Sequence, residues 1–178
     1  MGQLDRSLYA AVAATPTPLL DEAMGRLSNA ADYSRLSITS AAALWLGGAQ
    51  SGRRAAAAGL ASLLVTSAVA NLLVKPFGRR SRPDRAAGEA PSAQQVRMPA
   101  SRSFPSGHTA CAVAFASGAG RVLPAASVPL HVLAAAVGYS RVHTGVHYPG
   151  DVVAGAVIGA VTADITVAAL ADRIARLA

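Results

Sequence analysis

Long apolar stretches alternate with short polar ones along the chain. Ala55 to Val74 carries no charged residue and is bracketed by Arg53, Arg54 and Lys75. Val122 to Ser140 is broken only by Pro124, Pro129 and His131, and Val152 to Leu170 only by Asp164. Each approaches the length of about 20 apolar residues that crosses a bilayer as a helix. Leu36 to Gln50, with Trp45 near its end, and His108 to Gly120 are shorter. Small residues let such short helices sit inside a bundle. Residues 1–35 follow another pattern. Leu4, Leu8, Ala11 and Val12 form a stripe at helical spacing, Thr15-Pro16-Thr17-Pro18 breaks it, and Pro18 opens a second helix with Asp21 and Glu22 in its first turn. Leu20, Met24 and Leu27 line one face of that helix. The expected fold class is therefore all-α. Residues 36–178 form a polytopic membrane helical bundle of about five spans, and residues 1–35 form amphipathic helices at the interface. A charged start followed by an unbroken apolar run is missing, which speaks against a signal peptide.

Composition strengthens the membrane reading. Hydrophobic residues make up 52% of the 178 and charged residues 14%, against about 25% charged in an average soluble domain. Alanine supplies 42 residues and glycine 16, which suits close helix packing. A single cysteine, Cys111, excludes a disulfide framework and a thiolate metal cluster. The net charge of +7 invites a nucleic-acid reading. With a mean hydropathy of +0.37, arginines at lipid headgroups or at an anionic substrate account for it instead, and no nucleic-acid partner is expected. Lys75 stands alone among fifteen arginines.

Alternation of the spans brings four helix ends to one membrane face, and the chemistry collects there. Lys75 and Arg82 follow the second span, Pro105-Ser106-Gly107-His108 opens the third, and Ser140 to Asp151 joins the last two. Close approach of Lys75, Arg82 and Arg141 is stable around an anion, and phosphate fits the arginine fork. Ser106 is placed as a helix N-cap, so the amides of Ser106, Gly107 and His108 face an anion, and Gly107 keeps that approach open. Asp151, four residues after His147, holds one imidazole nitrogen and leaves the other to attack phosphorus. His108 donates a proton to the leaving oxygen. Asp151 is the only acid expected in this mouth apart from the loop residues Asp84 and Glu89.

Lys-x6-Arg-Pro (Lys75 to Pro83), Pro-Ser-Gly-His (Pro105 to His108) and Ser-Arg-x5-His-x3-Asp (Ser140 to Asp151) resemble the three-part signature of the type 2 phosphatidic acid phosphatase (PAP2) superfamily. The resemblance implies a metal-independent, cofactor-free phosphatase. His147 would form a phosphohistidine, Asp151 would orient it and His108 would be the general acid. Lys75, Arg82, Ser106, Gly107 and Arg141 would hold the phosphate. It implies a lipid phosphate as substrate, in the plasma membrane. The compact size and Ala/Arg-rich composition resemble a mycobacterial branch acting on decaprenyl-phosphoryl-5-phosphoribose, so a polyprenyl-linked substrate is favoured. Polyprenyl diphosphate, phosphatidate and phosphatidylglycerol-phosphate are the alternatives. A phosphotransferase and a lipid-binding protein without turnover are the rivals from other classes.

Other residues have plainer readings. His143 and Arg79 are candidate headgroup contacts, with packing the alternative for His143. Arg80, Arg85, Arg97 and Arg102 are expected to steer anionic headgroups or to be solvated. His131 is expected to be satisfied by a neighbouring helix. Asp164 is too deep for the mouth and is expected to make a structural contact near the far interface. Gly155-x-x-x-Gly159 marks close packing, within the bundle or at a homo-oligomer seam.

Overall fold

In a computed structural model of the chain, residues 2–15, 17–47, 50–85 and 96–176 are described, Ala175 by its backbone alone. Pro16, Glu89 and the middle of the polar loop lie outside them. The helices are α1 (Gln3–Ala13), α2 (Pro18–Ala30), α3 (Arg35–Leu46), α4 (Gln50–Ala68), α5 (Gly107–Val122), α6 (Pro124–His143), α7 (Pro149–Ala169) and α8 (Ala171–Ala175). A 3-10 turn, Asp32–Ser34, precedes α3, and α4 runs on as a π-helical stretch, Val69–Val74. No strand occurs among the described residues. Local chemistry sets the boundaries: proline opens α2, α6 and α7, and the side chain of Ser106 caps α5 by accepting from the Thr109 amide.

The bundle is inside-out relative to a water-soluble globule. Helix α7 buries Asp151, Gly155, Gly159, Ala163 and Thr166, while Val153, Val157, Val161 and Ile165 on the opposite stripe are exposed. Helix α4 likewise buries Ala55, Ala56, Ala58, Gly59 and Ser62 and exposes Leu64 and Val65. An apolar exterior around a small-residue interior is what a lipid solvent requires. Among the described residues, Gln50–Val74 and Pro149–Ala169 are each long and apolar enough to cross a membrane. Helices occupy all five expected positions, but α3 has 12 residues and α5 has 16. At 1.5 Å per residue these measure roughly 18 and 24 Å, short of a hydrocarbon core about 30 Å thick.

Glycine lets α7 lie against α5. A methyl group on Gly155 or Gly159 would collide with the α5 backbone at Ser106 or Ala110, and one on Gly59 would meet the Phe115 ring. The Gly155/Gly159 face is thus taken by α5 of the same chain. Of the two readings of these glycines, packing within the bundle is the one the contacts support: the small residues accommodate an internal neighbour. His131 is satisfied as expected, with Ser127 O at 2.8 Å from Nδ1 and Ser117 Oγ of α5 at 3.2 Å from Nε2. Asp164 pairs with Arg121 at 2.6 Å, at the opposite end of α5 from His108.

Helices α1 and α2 pack on the end of the bundle where α6 ends and α7 begins. Helix α1 buries Asp5, Tyr9 and Ala13, and Tyr9 and Ala13 cluster with Val142, Tyr148 and Val152. Helix α2 buries Asp21 and Ser28 and contacts α6.

Candidate active site

Three segments are tied together by backbone before any side chain is considered. The Ser106 amide donates to Asp151 O at 3.0 Å, joining the start of α5 to the start of α7, and the Ser103 amide donates to Arg80 O at 3.1 Å. The turn after α6 closes as the Val146 and His147 amides both donate to Arg141 O. Gly145 has a φ of +65°, the left-handed conformation that glycine adopts without strain.

On this frame, His147 is buried between a carboxylate and a cation. Its Nδ1 lies 3.6 Å from Asp151 Oδ2. Its Nε2 lies 3.3 Å from Arg82 Nη1. Arginine can only donate, so Nε2 presents its lone pair and the ring proton resides on Nδ1, towards Asp151. Burial pushes the His147 pKa down to about 4; the neighbouring Asp151 carboxylate opposes this, while the Arg82 and Arg141 charges reinforce it. The imidazole is thus neutral at pH 7, as a nucleophile must be.

Asp151 is itself held on every side. Ser103 Oγ donates to Oδ2 at 2.5 Å and the Tyr148 amide donates to Oδ2 at 3.0 Å. Arg80 Nη1 donates to Oδ1 at 3.1 Å. Arg80 also pairs with Asp5 of α1 at 2.6 Å and lies 4.0 Å above the Tyr148 ring. Such fixed partners set the orientation of the carboxylate, and through it the tautomer of the histidine.

The cations gather around this buried pair. Arg82 donates to Val146 O at 2.7 Å and Ser101 O at 2.8 Å. Lys75 leaves the π-helical stretch, its Nζ donating to Asn71 Oδ1 at 3.0 Å. A Cβ on Gly107 would stand 3.4 Å from that Nζ, so the residue at the start of α5 faces the ammonium directly. Burial, and then the Arg82 charge, lowers the Lys75 pKa. Arg141 is buried; its Nη1 donates to Ser28 Oγ at 2.7 Å and Ser28 O at 3.1 Å. Ser106, Gly107 and His108 form the start of α5, but the Ser106 amide is taken by Asp151 O, which corrects the expectation of three free amides and leaves those of Gly107 and His108 for an anion; the eight expected site residues gather at the ends of α4 to α7. Phosphate would find there three cations, helix-terminal amides, a neutral imidazole lone pair and a second histidine.

The outer residues differ from the sequence expectation. His143 is buried, with Nε2 2.9 Å from Asp21 Oδ1, so it faces α2 and takes the packing alternative rather than the headgroup one. Arg79 lines a surface pocket of about 350 Å³ with Arg82 and Ser101. Arg80 and Arg85 serve the protein: Arg85 donates to Val96 O and Thr144 O, each at 2.6 Å, and bridges the polar loop to the α6–α7 turn. The expectation of Asp151 as the sole acid beyond the loop is corrected. Asp32 places Oδ1 2.9 Å from His108 Nε2 and 3.7 Å from Arg141 Nη1. Sequence reasoning missed it because it lies outside every motif, 76 residues from its partner. Ser103, two residues before Pro105, had a usable signal in its closeness to Pro-Ser-Gly-His.

Known proteins share this arrangement of chain. A decaprenylphosphoryl-5-phosphoribose phosphatase of Mycobacterium tuberculosis is 38% identical over 118 residues, 64% of this chain and 58% of that one. A lipid A 1-phosphatase of Rhizobium johnstonii is 36% identical over 101 residues, 56% of this chain and 41% of the relative. The matched region thus spans only 58% and 41% of the length of these curated relatives. Among solved structures, Aquifex aeolicus LpxE superposes with a TM-score of 0.71 at 24% identity, over 93% of this chain and 96% of that one. The first transmembrane PAP2-type phosphatidylglycerolphosphate phosphatase from Bacillus subtilis gives 0.68 at 26% identity, over 97% and 87%. The model of the PAP2 superfamily matches residues 55–175, which hold all three motifs, and the chain belongs to that superfamily.

Proposed function

We propose that the protein is a multi-pass phosphatase of the cell membrane that removes phosphate from a polyprenyl-linked lipid through a phosphohistidine at His147. The observation that carries this is the buried imidazole with Nδ1 on Asp151 and Nε2 beside Arg82. In the first step Nε2 bonds to phosphorus as the bond to the leaving oxygen breaks, and that oxygen takes a proton from His108. In the second step water attacks the phosphohistidine and gives its proton to His108, the N–P bond breaks, and phosphate leaves. Lys75, Arg82, Arg141 and the amides at the start of α5 stabilise the charge on the transferring group.

The polyprenyl preference is supported by the 38% identity to the mycobacterial decaprenylphosphoryl-5-phosphoribose phosphatase. The likeness to the Bacillus phosphatidylglycerolphosphate phosphatase over 97% of the chain favours a second substrate class, a phosphoglycerolipid phosphate. The test is phosphate release in detergent from polyprenyl-phosphoribose phosphate, polyprenyl diphosphate, phosphatidylglycerol-phosphate and phosphatidate. The first is expected to give the highest kcat/KM, and His147→Ala to abolish release while helical circular dichroism is retained. Full activity in His147→Ala would sink the mechanism.

A further inference from the structure

Asp32 sits where no motif residue was expected. Its carboxylate lies 2.9 Å from His108 Nε2 and 3.7 Å from Arg141 Nη1. It is partly exposed and lines, with His108, Tyr33 and Arg97, a cavity of about 440 Å³. A second observation is independent of these contacts. Tyr33 and Ser34, immediately after it, both have φ of +56°, a left-handed conformation that side chains other than glycine rarely adopt. Consecutive strained residues persist where the surrounding structure over-determines them, and they cluster at functional sites. The turn directs Asp32 across α5 to the one histidine that has to deliver a proton.

We infer that Asp32 is a positioning residue that holds the His108 imidazole at the leaving oxygen and favours its protonated form against burial and the cations around it. The inference rests on the phosphatase reading above. The groups facing His108 explain why such a partner is needed. Arg141 from α6 and His147 from the following turn approach it, Arg97 lines the same cavity, and Lys75 stands beside Gly107. Positive charges disfavour an imidazolium, and a hydrogen-bonded carboxylate favours it. As phosphorus passes to His147 Nε2, the imidazolium of His108 gives its proton to the departing oxygen. It recovers a proton from the attacking water, and Asp32 remains ionised throughout.

The test compares the full-length protein with Asp32→Asn and Asp32→Glu on two substrates. One is the best lipid phosphate of the panel, whose alkoxide needs a proton; the other is p-nitrophenyl phosphate, whose phenolate leaves without one. Asp32→Asn is expected to lower kcat on the lipid on the order of 10²-fold, the low end of what general acid catalysis contributes. KM should change little, and the alkaline limb of the kcat profile should move to lower pH. The loss should largely vanish on p-nitrophenyl phosphate, and Asp32→Glu should recover part of the lipid activity with the original profile. Equal losses on both substrates with an unmoved profile would make Asp32 a structural residue and overturn the inference. Unchanged kcat with tighter inhibition by inorganic phosphate would make it a plug in the phosphate seat and would overturn it too. If Asp32→Asn does not fold, the histidine ¹⁵N spectrum of the wild type decides: His108 must show a proton shared between Nε2 and a carboxylate. A wild type that turns over neither lipid nor aryl phosphate defeats the phosphatase reading and this inference with it. A wild type that turns over while Asp32→Asn is indifferent defeats only this inference.

Discussion

His147 is a histidine made unlike a free one by burial and by the charge on either side. With its pKa pushed down to about 4, it stays neutral far below the usual value of about 6.5. The unfolded chain protonates this imidazole as pH falls through the ordinary value while the folded chain does not. The group therefore costs stability progressively between those two pH values and nothing above them. In a ¹⁵N-histidine titration, His147 is expected to remain neutral to below pH 5. Arg82→Gln removes a cation 3.3 Å away and should move that titration upward; a downward movement would mean that Arg82 does not face the ring. The motif residues were legible in sequence because transfer of phosphate demands few side-chain types at fixed spacing. Asp32 and Ser28 were not legible. They act on His108 and Arg141 from 76 and 113 residues away; Asp32 before α3 reads equally well as a cap, and Ser28 within α2 as an ordinary polar helix position.

At the level of helices, the small residues decide the packing. Gly159 of α7 faces the backbone of α5 with no room for a methyl group, whereas Val157, two residues earlier, is exposed. Gly159→Leu is expected to lower thermal stability in detergent severely, since overpacking costs about 1–3 kcal/mol or more. Val157→Ala is expected to change it by no more than about 0.5 kcal/mol. Equal effects from the two would contradict the assigned faces. Apolar run length located α4, α6 and α7 well but misjudged their ends. Helix α4 starts at Gln50 and includes Arg53 and Arg54, because a helix leaving the bilayer has no reason to stop at the first charge. The glycines of α7 were equally compatible with an internal and an external neighbour, and only the position of α5 distinguishes them.

For the molecule as a whole, cationic side chains stand where many phosphate-transferring proteins place a metal. Lys75, Arg82 and Arg141 approach one another around the imidazole, so the proposed reaction carries its counter-charges in the chain itself. Activity is expected to survive dialysis against EDTA; loss of activity restored by Mg²⁺ would contradict the mechanism. The membrane-facing exterior was legible from composition. The role of the first 35 residues was not, because amphipathic helices give the same pattern whether they rest on lipid or on their own bundle. Here they bring Asp5 to Arg80, Asp21 to His143, and Asp32 to His108.

Those three pairings have a consequence for biosynthesis. The ribosome releases Asp5, Asp21 and Asp32 well before Arg80, His143 and His108, and Gly150, whose amide also donates to Asp5, emerges 145 residues after it. These carboxylates must therefore wait for those far partners while the later helices are made. Closure of the head of the chain onto its far segments follows synthesis of the start of α7, and a nascent chain halted before it would lack both the Gly150 amide and Asp151.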